Sequence, residues 1–512
     1  MSPPAPARSE RRFALAVAAI FGALALAGVL GHEMWRDELE IWLIARASAG
    51  LRDLLANMRT EGHPALWYVV TWLLARITRE PLAMQLLNVT IGTAAATIVA
   101  QDAPAPRWAR ALFVLGYLPL YEFTVITRSY ALELLLLSAF CSRLARRRAI
   151  DGGAVGLLVL LAHTNLFGTI FAGLAVAFAL VAAWRRPAGE GIRVSWIAAS
   201  TVIVAVAVAF AHVLVQSLAI GSEHADSYRP PWNLRSVLAC LGTLARGFVP
   251  LPDFGAHATW NSTALDLLPR GMTGLVGALG GAAALMVAAR ALRRVPEALL
   301  VFLTGSATLF AITLFVWFGF ARHHGQHFVW FLACAWIAAA LDPRARDSWN
   351  ARTGRLGLAA LLAIQALAGV HAYLRDLALP FSNARAVAHH IAASELQDLP
   401  LVGSIDYAVE PITAYLDRAM WYPESDRSGT FLDWSDRRRL VPATKALGDA
   451  RALAEREGRD VILVLSYPWR DLPVGARVTI GDGTTMHLFA RFRGALVADE
   501  NYDLYRVSVE PR

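Results

Sequence analysis

Residues 11–42 read RRFALAVAAIFGALALAGVLGHEMWRDELEIW. Two arginines precede an apolar run, Phe13 to Gly31, that approaches the ~20 residues a membrane-spanning helix needs. A secretory signal has a shorter apolar core of about 7–15 residues and a small-x-small cleavage site, so this run reads as a retained first helix. Two consecutive carboxylates, Asp37 and Glu38, follow just beyond it. A membrane chain that opens in this way places its first charged chemistry at the far surface of the bilayer.

The rest of the composition agrees. Hydrophobic residues make up 56% of the 512 residues and charged residues only 17%, against about a quarter in a typical soluble domain, which argues against a water-soluble globule. The net charge of +8 is carried by arginine, Lys445 being the one lysine, and the arginines lie in particular loops rather than on a nucleic-acid-binding face. Cys141, Cys240 and Cys334 are far apart and show no metal-ligand or disulfide spacing, so they read as small buried residues.

Further apolar segments fall near 82–100, 108–120, 128–146, 153–163, 165–184, 195–219, 271–293, 297–318, 326–342 and 354–374. Arginine-rich connections, Arg143 to Arg148, Arg185-Arg186, Arg290 to Arg294 and Arg344 to Arg346, are expected on the cytoplasmic side. That puts the first loop (32–63), His163-Thr-Asn165, a long loop at 220–270, Arg322-His-His324 and the C-terminal part outside, and residues 1–12 inside as a short tail. The count closes only if 64–78 is an interfacial or re-entrant helix, which leaves eleven crossings between 13 and 375. Beyond 380 the pattern changes. Val402 to Asp406, Val461 to Leu465, His487 to Phe492 and Tyr502 to Val509 read as strands, with Pro411 to Leu416 and Thr444 to Glu457 as helices. The expected architecture is an α-helical polytopic membrane protein with about 11–13 transmembrane helices and a small extracytoplasmic α/β domain at 380–512. No catalytic motif marks that domain.

In the first loop, Leu39, Trp42, Leu43 and Arg46, then Leu51, Leu54, Leu55 and Met58, recur at helical spacing and predict two short amphipathic helices lying on the bilayer. Asp37 and Glu38 would stand about 100° apart, so one alone can face a cavity fully. The loop closes on Glu61-Gly-His-Pro-Ala-Leu-Trp-Tyr68.

This set of elements resembles the glycosyltransferase C-fold superfamily, in particular the bacterial relatives of dolichyl-phosphate-mannose protein mannosyltransferases and the lipid A aminoarabinose transferase. Members carry an Asp-Glu pair in the first external loop, a His-Pro-Pro-Leu or Lys-Pro-Pro-Leu segment closing it, an Arg-x-Tyr-x-Leu pattern at an outer helix end and a late basic outer loop. The matching residues are Asp37-Glu38, His63-Pro64-Ala65-Leu66, Arg128-Ser-Tyr-Ala-Leu132 and Arg322-His-His-Gly-Gln-His327, with Ala65 where the family has a second proline. The likeness spans about 10–375 and excludes the C-terminal domain.

The resemblance implies an inverting transfer of a sugar from a polyprenyl-phosphate donor to an acceptor hydroxyl (glycan, lipid or protein) at the extracytoplasmic face of a bacterial inner membrane. The lipid-linked donor supplies the activation. No further cofactor and no metal ligand set is implied, although members of the superfamily differ in their use of a divalent metal. A carboxylate must take the acceptor proton, for which Asp37 is the candidate, with Glu38 beside it. Cations must take up charge on the departing phosphate, and Arg128 and Arg322 rank above His323 and His63 because a guanidinium fork matches phosphate. Tyr130, Glu133, Glu61 and His163 are candidates for the substrate cavity. Plainer roles stand beside these: a helix-dipole partner for Asp37-Glu38, an interfacial anchor for Arg128, an ion pair with Arg128 for Glu133, solvated loop charge for Arg322 to His324. The competing function is a transporter or flippase of lipid-linked saccharides, whose usual internal repeats and paired broken helices are not evident in the sequence.

Overall fold

The computed structural model describes residues 8–187, 191–222, 225, 229–346, 352–480 and 483–509. Helix α1 (Arg8–Gly31) is followed by three short helices, α2 (Arg36–Ala47), α3 (Leu51–Asn57) and α4 (Leu66–Ala75). Next come α5 (Leu82–Asp102), α6 (Arg107–Val114), a π-helical stretch at Tyr117–Val125, α7 (Tyr130–Arg147), α8 (Gly152–Ala162), α9 (Leu166–Arg185) and α10 (Trp196–Ala219). The helical part ends with α11 (Leu234–Phe248), α12 (Arg270–Leu292), α13 (Pro296–Phe315), α14 (Ala321–His324), α15 (Gln326–Leu341) and α16 (Arg352–Ala378). Among the described residues, seven helices are long and apolar enough to cross a bilayer: α1, α5, α9, α10, α12, α13 and α16. Their lipid-side positions carry exposed Leu, Ile, Val and Phe, as helices solvated by hydrocarbon do.

The arginine-rich connections gather at one end of the bundle. Arg148 donates to the Ala340 carbonyl at 2.8 Å, Arg294 to that of Arg344 at 3.2 Å, and Arg186 pairs with Glu297 at 3.2 Å. Glu10 at the start of α1 joins this end through Arg110 at 2.9 Å, as does Asp102 through Arg146 at 3.0 Å. The other end holds the first loop, Arg322 and the C-terminal domain. Helix α4 both enters and leaves at that end: the Leu66 N–H reaches the His163 carbonyl at 3.0 Å, while Arg79, just beyond the helix, reaches Asp417 at 2.7 Å. At ten residues it rises only ~15 Å, half the hydrocarbon thickness.

The segment 220–270 departs from the expected external loop. It contains α11, which runs in the same direction as α12 and packs against it at small residues. A Cβ added to Gly277 would lie 3.0 Å from the Gly242 Cα, and one at Gly281 would lie 2.4 Å from the Leu241 carbonyl oxygen. The Gly277-x-x-x-Gly281 spacing therefore serves close helix contact. Helix α11 dips into the bundle until the Gly247 Cα side abuts the His324 carbonyl, and the chain then returns through 249–269. A surface loop could not bury Cys240, Leu244 and Phe248 in this way.

The C-terminal domain comprises α17 (Ala384–Ala392), α18 (Asp406–Val409), α19 (Pro411–Leu416), α20 (Ala443–Glu457) and a sheet of seven strands: β1 (Leu401–Ser404), β2 (Met420–Tyr422), β3 (Arg427–Gly429), β4 (Val461–Leu465), β5 (Arg477–Ile480), β6 (Thr484–Phe492) and β7 (Tyr502–Val509). The order is β3-β2-β1-β4-β7-β6-β5, with β1 parallel to β2 and β4 and the remaining pairs antiparallel. Strand β4, Val-Ile-Leu-Val-Leu, is buried at every position because helices cover one sheet face and α20 the other.

This domain sits on the first loop. Ala414, Tyr415 and Phe431 join Leu39, Trp42, Leu54, Met58 and Trp67 in one apolar cluster. Ion pairs surround it, among them Arg36 with Asp499 at 2.7 Å and Arg59 with Asp433 at 2.5 Å. Helix α2 is consequently buried at Leu39, Ile41, Trp42, Leu43 and Ile44 together, so the expected wet face of an interfacial helix is covered by protein. Helix α3 keeps the interfacial pattern, with Leu54 buried and Leu51 and Leu55 outward.

Candidate active site

Asp37 and Glu38 leave the start of α2 in different directions, as their 100° separation requires. Glu38 is fully buried and accepts from the Thr127 N–H, from the Trp35 N–H at 3.3 Å and from His32 Nε2 at 2.9 Å. His32 Nδ1 reaches Asp376 at the end of α16, 2.8 Å away. Burial disfavours charge on His32, but Asp376 and Glu38 at its two nitrogens raise it to about 10, so the ring donates on both sides. Glu38 is a positioning residue: it ties α2 to α1, to the turn before Arg128 and to α16.

Asp37 is the more open of the pair. Its side chain is 28% exposed, and its Oδ2 receives both Arg128 Nη1 and Arg322 Nη2 at 2.8 Å. Burial opposes its charge, and the guanidiniums of Arg128, Arg322 and Arg36 outweigh that effect, holding the carboxyl below its usual range. Arg128 comes from the turn between the π-helical stretch and α7, and Arg322 from α14, so three distant segments meet at one carboxylate oxygen.

Arg322 is almost wholly buried, with its guanidinium 5.1–5.6 Å from the ring centres of Phe320, Trp35 and Trp260. Aromatic faces favour a cation there and keep the fork oriented. Behind it lies Glu122, whose Oε1 is 4.0 Å from Arg322 Nη1 and whose Oε2 accepts from Tyr117 at 2.6 Å and Trp260 Nε1 at 3.2 Å. Trp260 is thus a wall of the site and not part of an interfacial belt, whereas Trp232 is exposed and stacks on Phe315.

The remaining candidates divide. His63 Nε2 lies 3.4 Å from Arg128 Nη2; burial and the adjacent Arg128 bring His63 down to about 4, so at neutral pH it accepts from the arginine and adds no positive charge for a phosphate. His323 is buried and bonds Tyr130 through Nε2 at 2.9 Å, while its Nδ1 takes the Phe320 N–H at 2.8 Å; these two hold each other behind Arg322 and Arg128. Glu133 pairs with Asn165 at 2.8 Å instead of with Arg128. His163 caps α8 and lends its carbonyl to α4.

Glu61 belongs to a second carboxylate group. It accepts from Tyr68 at 2.9 Å, Glu40 accepts from Trp434 Nε1 at 2.8 Å, and Glu410 of the C-terminal domain is fully buried with neither oxygen hydrogen-bonded. Burial pushes Glu61 up to about 7. Burial and the proximity of Glu61 push Glu40 well up, and burial with Glu40 and Glu61 does the same to Glu410. Like charges this close cannot all ionise. Among the described residues no group of three or more His, Cys, Asp or Glu side chains is arranged to hold a metal ion.

Glu122, Trp35, Trp260, Glu40, Glu410 and Trp434 escape the sequence reading. Glu122 alone left a signal, an acidic residue amid the apolar residues that link the segments 108–120 and 128–146.

No family model matches the chain, and no curated protein matches it. Among solved structures it aligns with the crystal structure of ArnT from Cupriavidus metallidurans bound to undecaprenyl phosphate, over 96% of this chain and 99% of that one, at 14% identity and a TM-score of 0.43.

Proposed function

We propose that this protein is a membrane glycosyltransferase of the C-fold type that moves a sugar from a polyprenyl-phosphate donor to an acceptor hydroxyl at the extracytoplasmic face, with inversion. The observation that supports it is the single oxygen of a partly exposed Asp37 held by both Arg128 and Arg322 at the end of the bundle opposite the arginine-rich loops.

Held by two guanidiniums, Asp37 takes the place an anion would take and is a weak base. A donor phosphate competes for the same two forks, and as the guanidiniums turn to it the hold on Asp37 relaxes and its basicity rises. The acceptor hydroxyl then gives its proton to Asp37 as its oxygen bonds the anomeric carbon, and the bond from that carbon to the phosphate oxygen breaks. The leaving phosphate keeps the electron pair, and Arg128 and Arg322 stabilise it. Donor binding and activation of the base become one event, which protects the lipid-linked sugar from water until the site is filled.

The test is transfer by the purified protein, given a polyprenyl-phosphate sugar and candidate acceptors, with Asp37→Asn as comparator. Loss of transfer with donor binding retained supports the assignment. Movement of intact donor between vesicle leaflets without glycoside formation would identify a flippase instead.

A further inference from the structure

A second basic site lies away from Asp37. A cavity of about 330 Å³ opens between the end of α2, α4 and the start of the C-terminal domain, with Arg46, Arg76, Arg79 and Asp417 on its wall. Three guanidiniums face one carboxylate. Asp417 is bound by Arg46 and, at 2.7 Å, by Arg79. Arg76 donates to the carbonyls of Ala45 and Arg46 at 3.0 and 3.1 Å. The Arg46 side chain is 13% exposed, so its guanidinium is held largely out of solvent at the wall of the cleft. A cavity walled by three guanidiniums and one carboxylate carries net positive charge and suits an anionic ligand with more than one acceptor oxygen.

The surroundings state which kind. Leu73 on α4 and Ile77 just beyond it are 55% and 83% exposed. Leu51 and Leu55 of α3 are exposed beside it in the first loop. Apolar side chains presented next to a basic cleft, at the level where a bundle helix begins, match an amphiphile: its charge in the cleft and its chains along α3 and α4. Arg46 lies nine residues along α2 from Asp37, about 14 Å at the helical rise, so this cleft is separate from the donor-phosphate seat.

We propose that the Arg46–Arg76–Arg79 cleft binds the phosphate of an anionic phospholipid headgroup from the surrounding leaflet. Asp417, which Arg46 and Arg79 bond, competes with that phosphate for the two guanidiniums. Because Asp417 ends α19 of the C-terminal domain, a bound headgroup ties that domain, α2 and the membrane surface together. This assignment does not depend on the transferase reading.

The experiment uses the full-length protein in vesicles of phosphatidylcholine with or without phosphatidylglycerol, followed by extraction and native mass spectrometry to count retained lipid. Wild type should retain phosphatidylglycerol in preference to phosphatidylcholine. Arg46→Gln with Arg79→Gln should lower that retention by roughly tenfold or more, the effect of losing a charge-assisted contact. Asp417→Asn, which removes the competing carboxylate and keeps both arginines, should raise retention and serves if the double variant fails to fold. Equal retention in wild type and the double variant, or unchanged or weaker retention in Asp417→Asn, would overturn the proposal. Saturable binding of inorganic phosphate that displaces the lipid would assign the cleft to a free anion and overturn the lipid assignment.

Discussion

Asp37→Asn should bind polyprenyl phosphate more tightly than the native protein while transferring nothing. The Asp37 carboxylate makes two charge-assisted contacts at 2.8 Å, one to Arg128 and one to Arg322. Such contacts are worth about 1.5–3 kcal/mol each, and an incoming phosphate has to replace both. The amide keeps the shape of the side chain and can accept one weaker bond, but its charge is gone. Water takes up part of the difference on the released guanidiniums, so the net gain for phosphate is about 1.4 kcal/mol, roughly tenfold in Kd. Titration calorimetry with unglycosylated polyprenyl phosphate in detergent measures this directly. The sign separates two accounts of Asp37. If it competes with phosphate, removing its charge tightens binding; if it only braces the two arginines, removing it lets them splay and weakens binding. Equal or weaker affinity in Asp37→Asn would refute the competition argument.

Arg322→Met should weaken polyprenyl-phosphate binding by about 1.5–3 kcal/mol, some ten- to hundredfold, whereas Arg322→Lys, which keeps the charge in the cage of Phe320, Trp35 and Trp260 but not the fork, should lose less; calorimetry on both checks it. Glu61 titrates near 7 in the folded chain against an ordinary 4.5, so between those values the folded protein holds a proton the unfolded chain has lost. Its contribution to stability is therefore full below about 4.5 and is lost as pH rises through about 7. Thermal unfolding should show Tm falling over that window, and Glu410→Gln, which takes one buried carboxylate out of the group, should flatten the dependence. Gly281→Leu places side-chain atoms where a Cβ already meets the Leu241 carbonyl oxygen at 2.4 Å, so it should destabilise the α11–α12 contact by about 1–3 kcal/mol, seen as a lower Tm and freer proteolysis near 249–269.

The helical frame was legible because a membrane leaves little freedom. The segments near 82–100, 165–184, 195–219 and 297–318 reappear as α5, α9, α10 and α13 within a few residues. The same charge count required 64–78 to turn back, and the segment holds the ten-residue helix α4. Helix α11 was missed since Arg235 and Arg246 lower its apolarity and its partner surface is a row of glycines, which hydropathy does not register. Within the site, Asp37, Arg128 and Arg322 were found from local pattern and resemblance. Their convergence on one oxygen was not, because it joins residues up to 285 positions apart. Glu410 and Trp434 were out of reach for the same reason: nothing near them in sequence shows that α18, α19 and the 431–438 segment cover the first loop.

The most direct measurement of the central claim is a single-turnover reaction of the purified protein with a polyprenyl-phosphate sugar and an acceptor, following both the anomeric configuration of the product and the released polyprenyl phosphate. The account predicts an inverted glycoside and stoichiometric polyprenyl phosphate from wild type, and neither from Asp37→Asn despite a filled donor site. Transfer at the native rate by Asp37→Asn, or a product with retained configuration, would contradict it.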